Sequence, residues 1–306
     1  MPELHQLLPG TKVSDWATPG IAASVKPSYA AAYFAGDGSR TEIEKMLLAS
    51  ESMSVISDEL SRVRYNLSKD GASNNGVAGY FCGGRTGGAN WHDTIDKLLF
   101  ATDACAVITP TMSIIRYAHA GFANSGTAAY WGGAGWSVDD TIDKTMFSND
   151  STAVISPTMS VNRGQFAGLA DSGTAGYWGG GRTDLTSIDK TAFSNDTTSA
   201  LSATFDEGRG SHAGAADSGT AGYWAGRYGY TTPAGSVEKT VFSNDTNAQI
   251  SATLTYDSWG PAAASNSGVA LYWAGGYSDG YVTTINKTVF SNDATSAISS
   301  TLSDQL

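Results

Sequence analysis

The chain has 306 residues, 36 of them glycine, with 15% charged residues and a formal net charge of −11. That charge excludes a protein that grips nucleic-acid phosphates, because such affinity comes from Lys and Arg; an acidic surface still suits a soluble protein or a lining past which DNA slides. Cys82 and Cys105 are too few for a disulfide framework, no run of about 18 apolar residues exists to enter a membrane, and MPELHQLLPG lacks the basic-then-apolar pattern of a secretory signal.

Residues 1–19 fit a flexible arm, a docking peptide or an extra edge strand. From Gly20 a repeat begins: GIAASVKPSYAAAYF (20–34) aligns without gaps on GQFAGLADSGTAGYW (164–178). An aromatic before a glycine step recurs at Phe34, Phe81, Trp131, Trp178, Trp224 and Trp273, at spacings of 47, 50, 47, 46 and 49 residues. A period of about 40–50 residues is the signature of a propeller or solenoid. Six units are predicted, at about 20–63, 64–115, 116–162, 163–208, 209–257 and 258–306, so that 20–306 forms one array.

Each unit reads as four strands. A small apolar strand (FAGLA 166–170, HAGAA 212–216, PAAAS 261–265) suits the crowded axis, and a turn such as Asn124-Ser125-Gly126 or Asp171-Ser172-Gly173 follows it. The second strand, TAGYWGGG in its best copy, carries a Tyr and a Trp to fill the space between blades. A variable loop leads to the third strand, SIDKTAF, and a Ser-Asn-Asp turn leads to the fourth, TSALSATF. These predictions define an all-β, six-bladed β-propeller of four antiparallel strands per blade, an arrangement that removes most exposed edges.

These units resemble the kelch repeat. Arg116, Arg163 and Arg209 stand 15 residues before Trp131, Trp178 and Trp224, and Gly-Gly or Ala-Gly follows at 83–84, 132–133, 179–180, 225–226 and 274–275. The Trp that precedes the fourth strand in kelch repeats is replaced by Ile155, Leu201, Ile250 and Ile298. The resemblance covers about 285 residues and implies fold rather than function. The wording GYWGGG…IDKT.FSNDT is similar to kelch-type arrays encoded by tailed bacteriophages, including those of cyanobacteria. That likeness implies a virion component of the tail or its appendages, present in multiple copies per virion and assembled in the host cytoplasm.

Strand alternation places the Asx-Ser-Gly and Ser-Asn-Asp turns on one face, nearly unchanged between units. The loops after the glycine step lie on the other and vary from 6 to 10 residues. The candidate ligand-binding residues there are Trp91, His92, Trp136, Asp139, Asp140, Arg182, Asp184, Tyr228, Tyr230, Tyr277 and Tyr281. Variable loops on a constant scaffold suit binding, and aromatics beside carboxylates suit sugar rings. Unconstrained loops whose aromatics cover blade ends are the alternative. Arg116, Arg163 and Arg209, in blade-to-blade connections on that face, are candidates for an anion site through the Arg fork or for ties between blades. Lys45, Lys97, Lys144, Lys190, Lys239 and Lys287, each preceded by an acid or amide, are expected to make structural contacts between blades.

Enzyme readings lack support. The histidines His5, His92, His119 and His212 form no close pair, metal-ligand spacing is missing, and Gly179-Gly180-Gly181 lacks the GKS/T of a phosphate loop. Residues 171–178 place Trp178 too far from Gly173 for a sialidase Asp-box. Calcium at the Ser-Asn-Asp turns competes with the turns' own backbone hydrogen bonds. The expectation is therefore a non-enzymatic phage virion protein without cofactor or metal. Its expected partners are other virion proteins and a host-surface carbohydrate, with no specific nucleic-acid binding and no membrane insertion. The alternatives are a purely structural nozzle, baseplate or capsid-decoration protein and, less favoured, a carbohydrate-active enzyme.

Overall fold

The computed structural model describes residues 31–36, 40–68, 70–87, 90–135, 139–227 and 235–303; the arm expected at 1–19 and the first strand of blade 1 lie outside them. All regular structure among the described residues is β. Blade 3 is Ala120–Asn124, Ala128–Gly132, Ile142–Met146 and Thr152–Ile155, paired antiparallel in that order from the axis outward. Blades 2, 4, 5 and 6 repeat this order, and blade 1 contributes Ala31–Ala35, Glu42–Leu47 and Ser52–Glu59 as its second, third and fourth strands. The architecture is a six-bladed propeller.

The aromatic period is the packing period. Trp131 lies in a core with Ala78, Tyr80 and Ile95 of blade 2, Trp178 with Phe122, Tyr130 and Ile142 of blade 3, and Trp224 with Leu169 and Tyr177 of blade 4. Trp273 packs on blade 5, and Phe34 of blade 1 packs on Tyr272 and Ile285 of blade 6, so the last interface is built like the others. All four indoles are fully buried, and each donates its N–H to a threonine on its own third strand: Thr145, Thr191, Thr240 or Thr288, at 2.8–3.0 Å. In blades 3 and 4 glycine after the Trp fits this packing, because a Cβ on Gly132 or Gly179 would stand 3.0 Å from the Trp178 or Trp224 ring of the next blade.

Polar contacts between blades also recur six times. Lys45, Lys97, Lys144, Lys190 and Lys239 each reach the turn aspartate of the following blade, Asp103, Asp150, Asp196, Asp245 or Asp293, at 2.8 Å. Lys287 of blade 6 reaches Glu51 of blade 1. A tyrosine from each blade (Tyr33, Tyr80, Tyr130, Tyr177, Tyr223, Tyr272) donates its hydroxyl to the same carboxylate. Burial, with the neighbouring carboxylate, pushes these phenol pKa values up, so the hydroxyls stay protonated and donate. The acceptors sit at φ +54° to +58°, a left-handed conformation that Asp tolerates better than most residues, which explains its recurrence. The turn carboxylates are thus held by Lys and Tyr.

The constant face is stitched together by its turns. Gly173 N–H donates to Asn124 Oδ1 at 3.0 Å, Gly219 to Asp171 at 2.6 Å and Gly268 to Asp217 at 2.6 Å, while Ser125, Ser172 and Ser218 each donate their backbone N–H to the next turn's serine hydroxyl. Such mutual bonding accounts for the near-identity of the turns on packing grounds.

Candidate functional site

The three arginines predicted as an anion site do lie in the blade connections, but they point inward. Arg116 is fully buried and pairs with the fully buried Asp143 at 2.8 Å; Arg163 pairs with Asp189 at 2.8 Å and Arg209 with Glu238 at 2.9 Å. Arg64 pairs with Asp96 in the same way. Each guanidinium also donates to the carbonyl of a glycine in the glycine step, Gly83, Gly133, Gly180 or Gly226. Burial lowers the Arg163 and Arg209 pKa values, and the partner acids offset that only in part. A guanidinium so enclosed and already paired presents no fork to an external anion, so these residues tie each entering chain to its own third strand. Blade 6 replaces both partners at once: Ser258 and Asn286 stand where the pair would be, and the Tyr256 hydroxyl donates to Gly275 O and Thr284 O, each at 3.1 Å.

The predicted loop residues fall into separate places. Trp136, Tyr228 and Tyr230 lie outside the described residues. Asp139 Oδ1 accepts the Thr141 N–H at 2.7 Å and lies 3.4 Å from Arg116, so it supports its own loop; Asp140 is half-buried beside it. Arg182 is half-buried and donates its backbone N–H to Gly164 O, while Asp184 is exposed at φ +56°. Tyr277 and Tyr281 belong to a group in blade 6, and Trp91 and His92 to a group at blades 2 and 3.

The blade 6 group gains a residue that the repeat pattern did not single out. Trp259, directly after Ser258, exchanges both backbone hydrogen bonds with Tyr277 (3.1 and 2.9 Å). Its ring meets Tyr277 at 5.0 Å and 66°, and Tyr277 meets Tyr281 at 5.2 Å and 88°. Trp259 is 38% exposed and Tyr281 61% exposed, so Tyr277, edge-on to both, joins them in a row of rings that forms a notch partly open to solvent.

At blades 2 and 3, Trp91 sits in a two-residue ladder opposite Arg85. The Arg85 guanidinium lies over Tyr65 at 4.6 Å and Tyr117 at 5.1 Å, and Trp91 packs on Tyr117 at 4.9 Å. Arg62 Nη1 donates to His92 Nδ1 at 3.2 Å, which leaves Nε2–H to donate to Thr86 Oγ1 at 3.1 Å. Burial and the Arg62 cation lower the His92 pKa, consistent with this neutral tautomer. Tyr65, Tyr117 and Trp259 share one column, the position after the buried Arg or Ser, where blades 4 and 5 have Gly164 and Gly210. That column varies in sequence, and it is the signal that would have found them.

Successive blade connections bond one another in a belt. Ala118, Gln165, Ser211 and Gly260 each donate a backbone N–H to the corresponding residue of the preceding blade (Asn66, Ala118, Gln165, Ser211) at 2.6–2.7 Å, a belt across five blades in which every residue has positive φ. Beyond it, on the constant-turn side, lies a cavity of about 610 Å³ lined by inner-strand residues including Gly121, Gly168, Gly214 and Ala263. Asp70 reaches across this space, accepting the Gly168 N–H at 2.7 Å and the Gly214 N–H at 2.9 Å. Blade 2 has six residues between Arg64 and Gly71, against four between Arg116 and the equivalent Gly121, and the added length places that carboxylate there. Among the described residues no group of three or more His, Cys, Asp or Glu is placed to hold a metal ion.

No protein-family profile matches the chain, and no curated protein matches it. Among solved structures it is similar to one titled "Structure of YjhT", with a TM-score of 0.69 and 12% identity over 88% of this chain and 94% of that one. At that identity the likeness shows the six-bladed propeller fold.

Proposed function

We propose that the chain is a non-enzymatic structural protein of a tailed-phage virion, a kelch-type propeller of the tail or its appendages. Its variable-loop face would bind a host-surface carbohydrate, and it would be held among other virion proteins. The repeat wording resembles such proteins, and the two faces differ in the way this role needs. One face is saturated by turn-to-turn bonds, and the other carries partly exposed aromatics on a rigid frame. The observation that carries the reading is the Trp259–Tyr277–Tyr281 notch. The Trp of each described Trp-containing glycine step is wholly buried, whereas these rings, outside that step, are partly open, with Tyr277 edge-on to both neighbours, an arrangement suited to stacking a sugar ring.

The test is binding of the fluorescently labelled full chain to candidate host cells. Saturable binding that Trp259→Ala and Tyr281→Ala abolish, in variants that melt normally, is the expected result. A folded protein that binds no susceptible cell yet enters virions would leave a purely structural nozzle, baseplate or decoration part. Release of new reducing ends from a glycan by the wild type would make the protein an enzyme.

A further inference from the structure

The turn between the first two strands of a blade carries a glycine whose amide is tied to the blade before it. Gly126, Gly173, Gly219 and Gly268 donate their N–H to Asn74, Asn124, Asp171 and Asp217 at 2.6–3.0 Å. Gly76, their counterpart in blade 2, makes no such bond, and its N–H has no acceptor among the described residues. The repeat supplies a reason: in the gapless alignment of 20–34 on 164–178, Pro27 falls opposite Asp171 and offers no side-chain acceptor. Blade 2 departs at the preceding position as well. Blades 3 to 6 have Ser125, Ser172, Ser218 and Ser267 before the glycine, whereas blade 2 has Asn75, which makes the one Asn-Gly step of the chain. Asn75 is exposed; its backbone N–H donates to Ser125 Oγ at 2.9 Å, while its side-chain amide makes no hydrogen bond among the described residues.

We propose that Asn75 is a self-modification site, at which the chain cyclises and deamidates in its folded state. The Gly76 nitrogen gives up its proton and bonds to the Asn75 side-chain carbonyl carbon, and ammonia leaves with that proton. Water then opens the cyclic imide at either carbonyl, giving aspartate or isoaspartate at this position. Asparagine is a thermolabile residue, and a following glycine has no Cβ to hinder the attack. In the other blades the same glycine nitrogen is held in a hydrogen bond and no asparagine precedes it. Blade 2 alone combines an untied nitrogen with an unbonded amide. The products alter a defined part of the constant face. Val77 N–H donates to Asn74 O across this turn at 2.9 Å, and Asn74 Oδ1 takes the Gly126 N–H from blade 3 at 3.0 Å. Isoaspartate adds one atom to the main chain inside the turn and so loosens both bonds. Either product also sets a new carboxylate on the wall of the axial cavity, which Asn75 lines. The stitch between blades 2 and 3 is therefore the part of this face that ages.

The test is prolonged incubation of the folded full chain in mildly alkaline buffer, then mass spectrometry of the tryptic peptide 70–85. Conversion of Asn75, read as loss of ammonia and then as the aspartyl and isoaspartyl peptides, is expected roughly tenfold or more faster than that of Asn124 and Asn266, which precede serine. Asn75→Ser copies the other blades and should abolish the conversion without lowering the melting temperature. Ser172→Asn builds the same step in blade 4, where the Gly173 nitrogen is tied to Asn124. In the folded protein that step should convert several-fold more slowly than Asn75, and in urea the two should convert alike. The comparison within the wild type stands on its own if the Ser172 variant loosens its turn. An Asn75 that stays intact in the folded chain overturns the assignment. So does a rate gap that persists in urea, or a Ser172→Asn step that keeps pace with Asn75 in the fold.

Discussion

Ser303 donates its backbone N–H to the Glu44 carboxylate at 2.9 Å, joining the chain that leaves blade 6 to the third strand of blade 1. The same bond recurs at the internal junctions, from Ser61 to Asp96, Ser113 to Asp143, Ser160 to Asp189, Asp206 to Glu238 and Thr255 to Asn286, at 3.1–3.3 Å. Among the described strands no blade borrows one from the far end of the chain. The ring is closed by side-chain packing and by the same polar contacts that join its interior.

Closure should therefore be no weaker than an internal junction. Glu51→Ala removes the acceptor of Lys287 and Tyr272, and Asp245→Ala removes that of Lys190 and Tyr177. Each is expected to cost about 1–2 kcal/mol in urea unfolding, the partly exposed ion pair giving the smaller share. A Glu51 variant several-fold more damaging than the Asp245 variant would show that the ring depends on its seam.

The buried Arg163–Asp189 pair offers a sharper contrast. Either Arg163→Ala or Asp189→Ala strands a buried charge and should cost about 3–5 kcal/mol. The double variant Arg163→Ser with Asp189→Asn copies blade 6, and with Val161→Tyr it also supplies the hydroxyl that Tyr256 provides there. The triple variant should be markedly more stable than either single one in chemical denaturation. Additive losses would show that the two buried groups act independently.

His119 makes stability depend on pH. It is fully buried, neither ring nitrogen has a hydrogen-bond partner, and burial, reinforced by the Arg116 and Arg64 cations, holds its pKa well below the ordinary value. The unfolded chain takes up a proton near pH 6.5 that the folded protein refuses. Its contribution is thus fully present above that pH and is lost as the pH falls, by at most about 1.4 kcal/mol per unit. Phe166 fills the corresponding seat in blade 4, so His119→Phe should fold and flatten the stability profile between pH 6.5 and 5. An unchanged slope in that variant would place the acid sensitivity elsewhere.

The sequence carried the fold because the repeat period is also the packing period. Phe34, Phe81 and the four tryptophans announce six blades, and they occupy six equivalent interfaces. A finer pairing was legible as well. Wherever the aromatic is Trp the third strand offers Thr145, Thr191, Thr240 or Thr288, and where it is Phe81 or Phe34 the strand offers Leu98 or Met46, because only an indole N–H needs a buried acceptor.

What composition and spacing could not give was direction. Arg116 and Asp139 sit in loops of one face, yet one turns inward to Asp143 and the other props its own turn. Arg64 escaped the spacing rule because of the added length in blade 2. The same added length sends Asp70 across the axis to Gly168 and Gly214, 98 and 144 residues away. By itself the sequence determined the number of blades, the order of strands and which face varies, since these follow from periodicity and turn chemistry. Only the tertiary structure decided which cations are spent on the fold and which face solvent, because that depends on contacts between residues far apart in the chain.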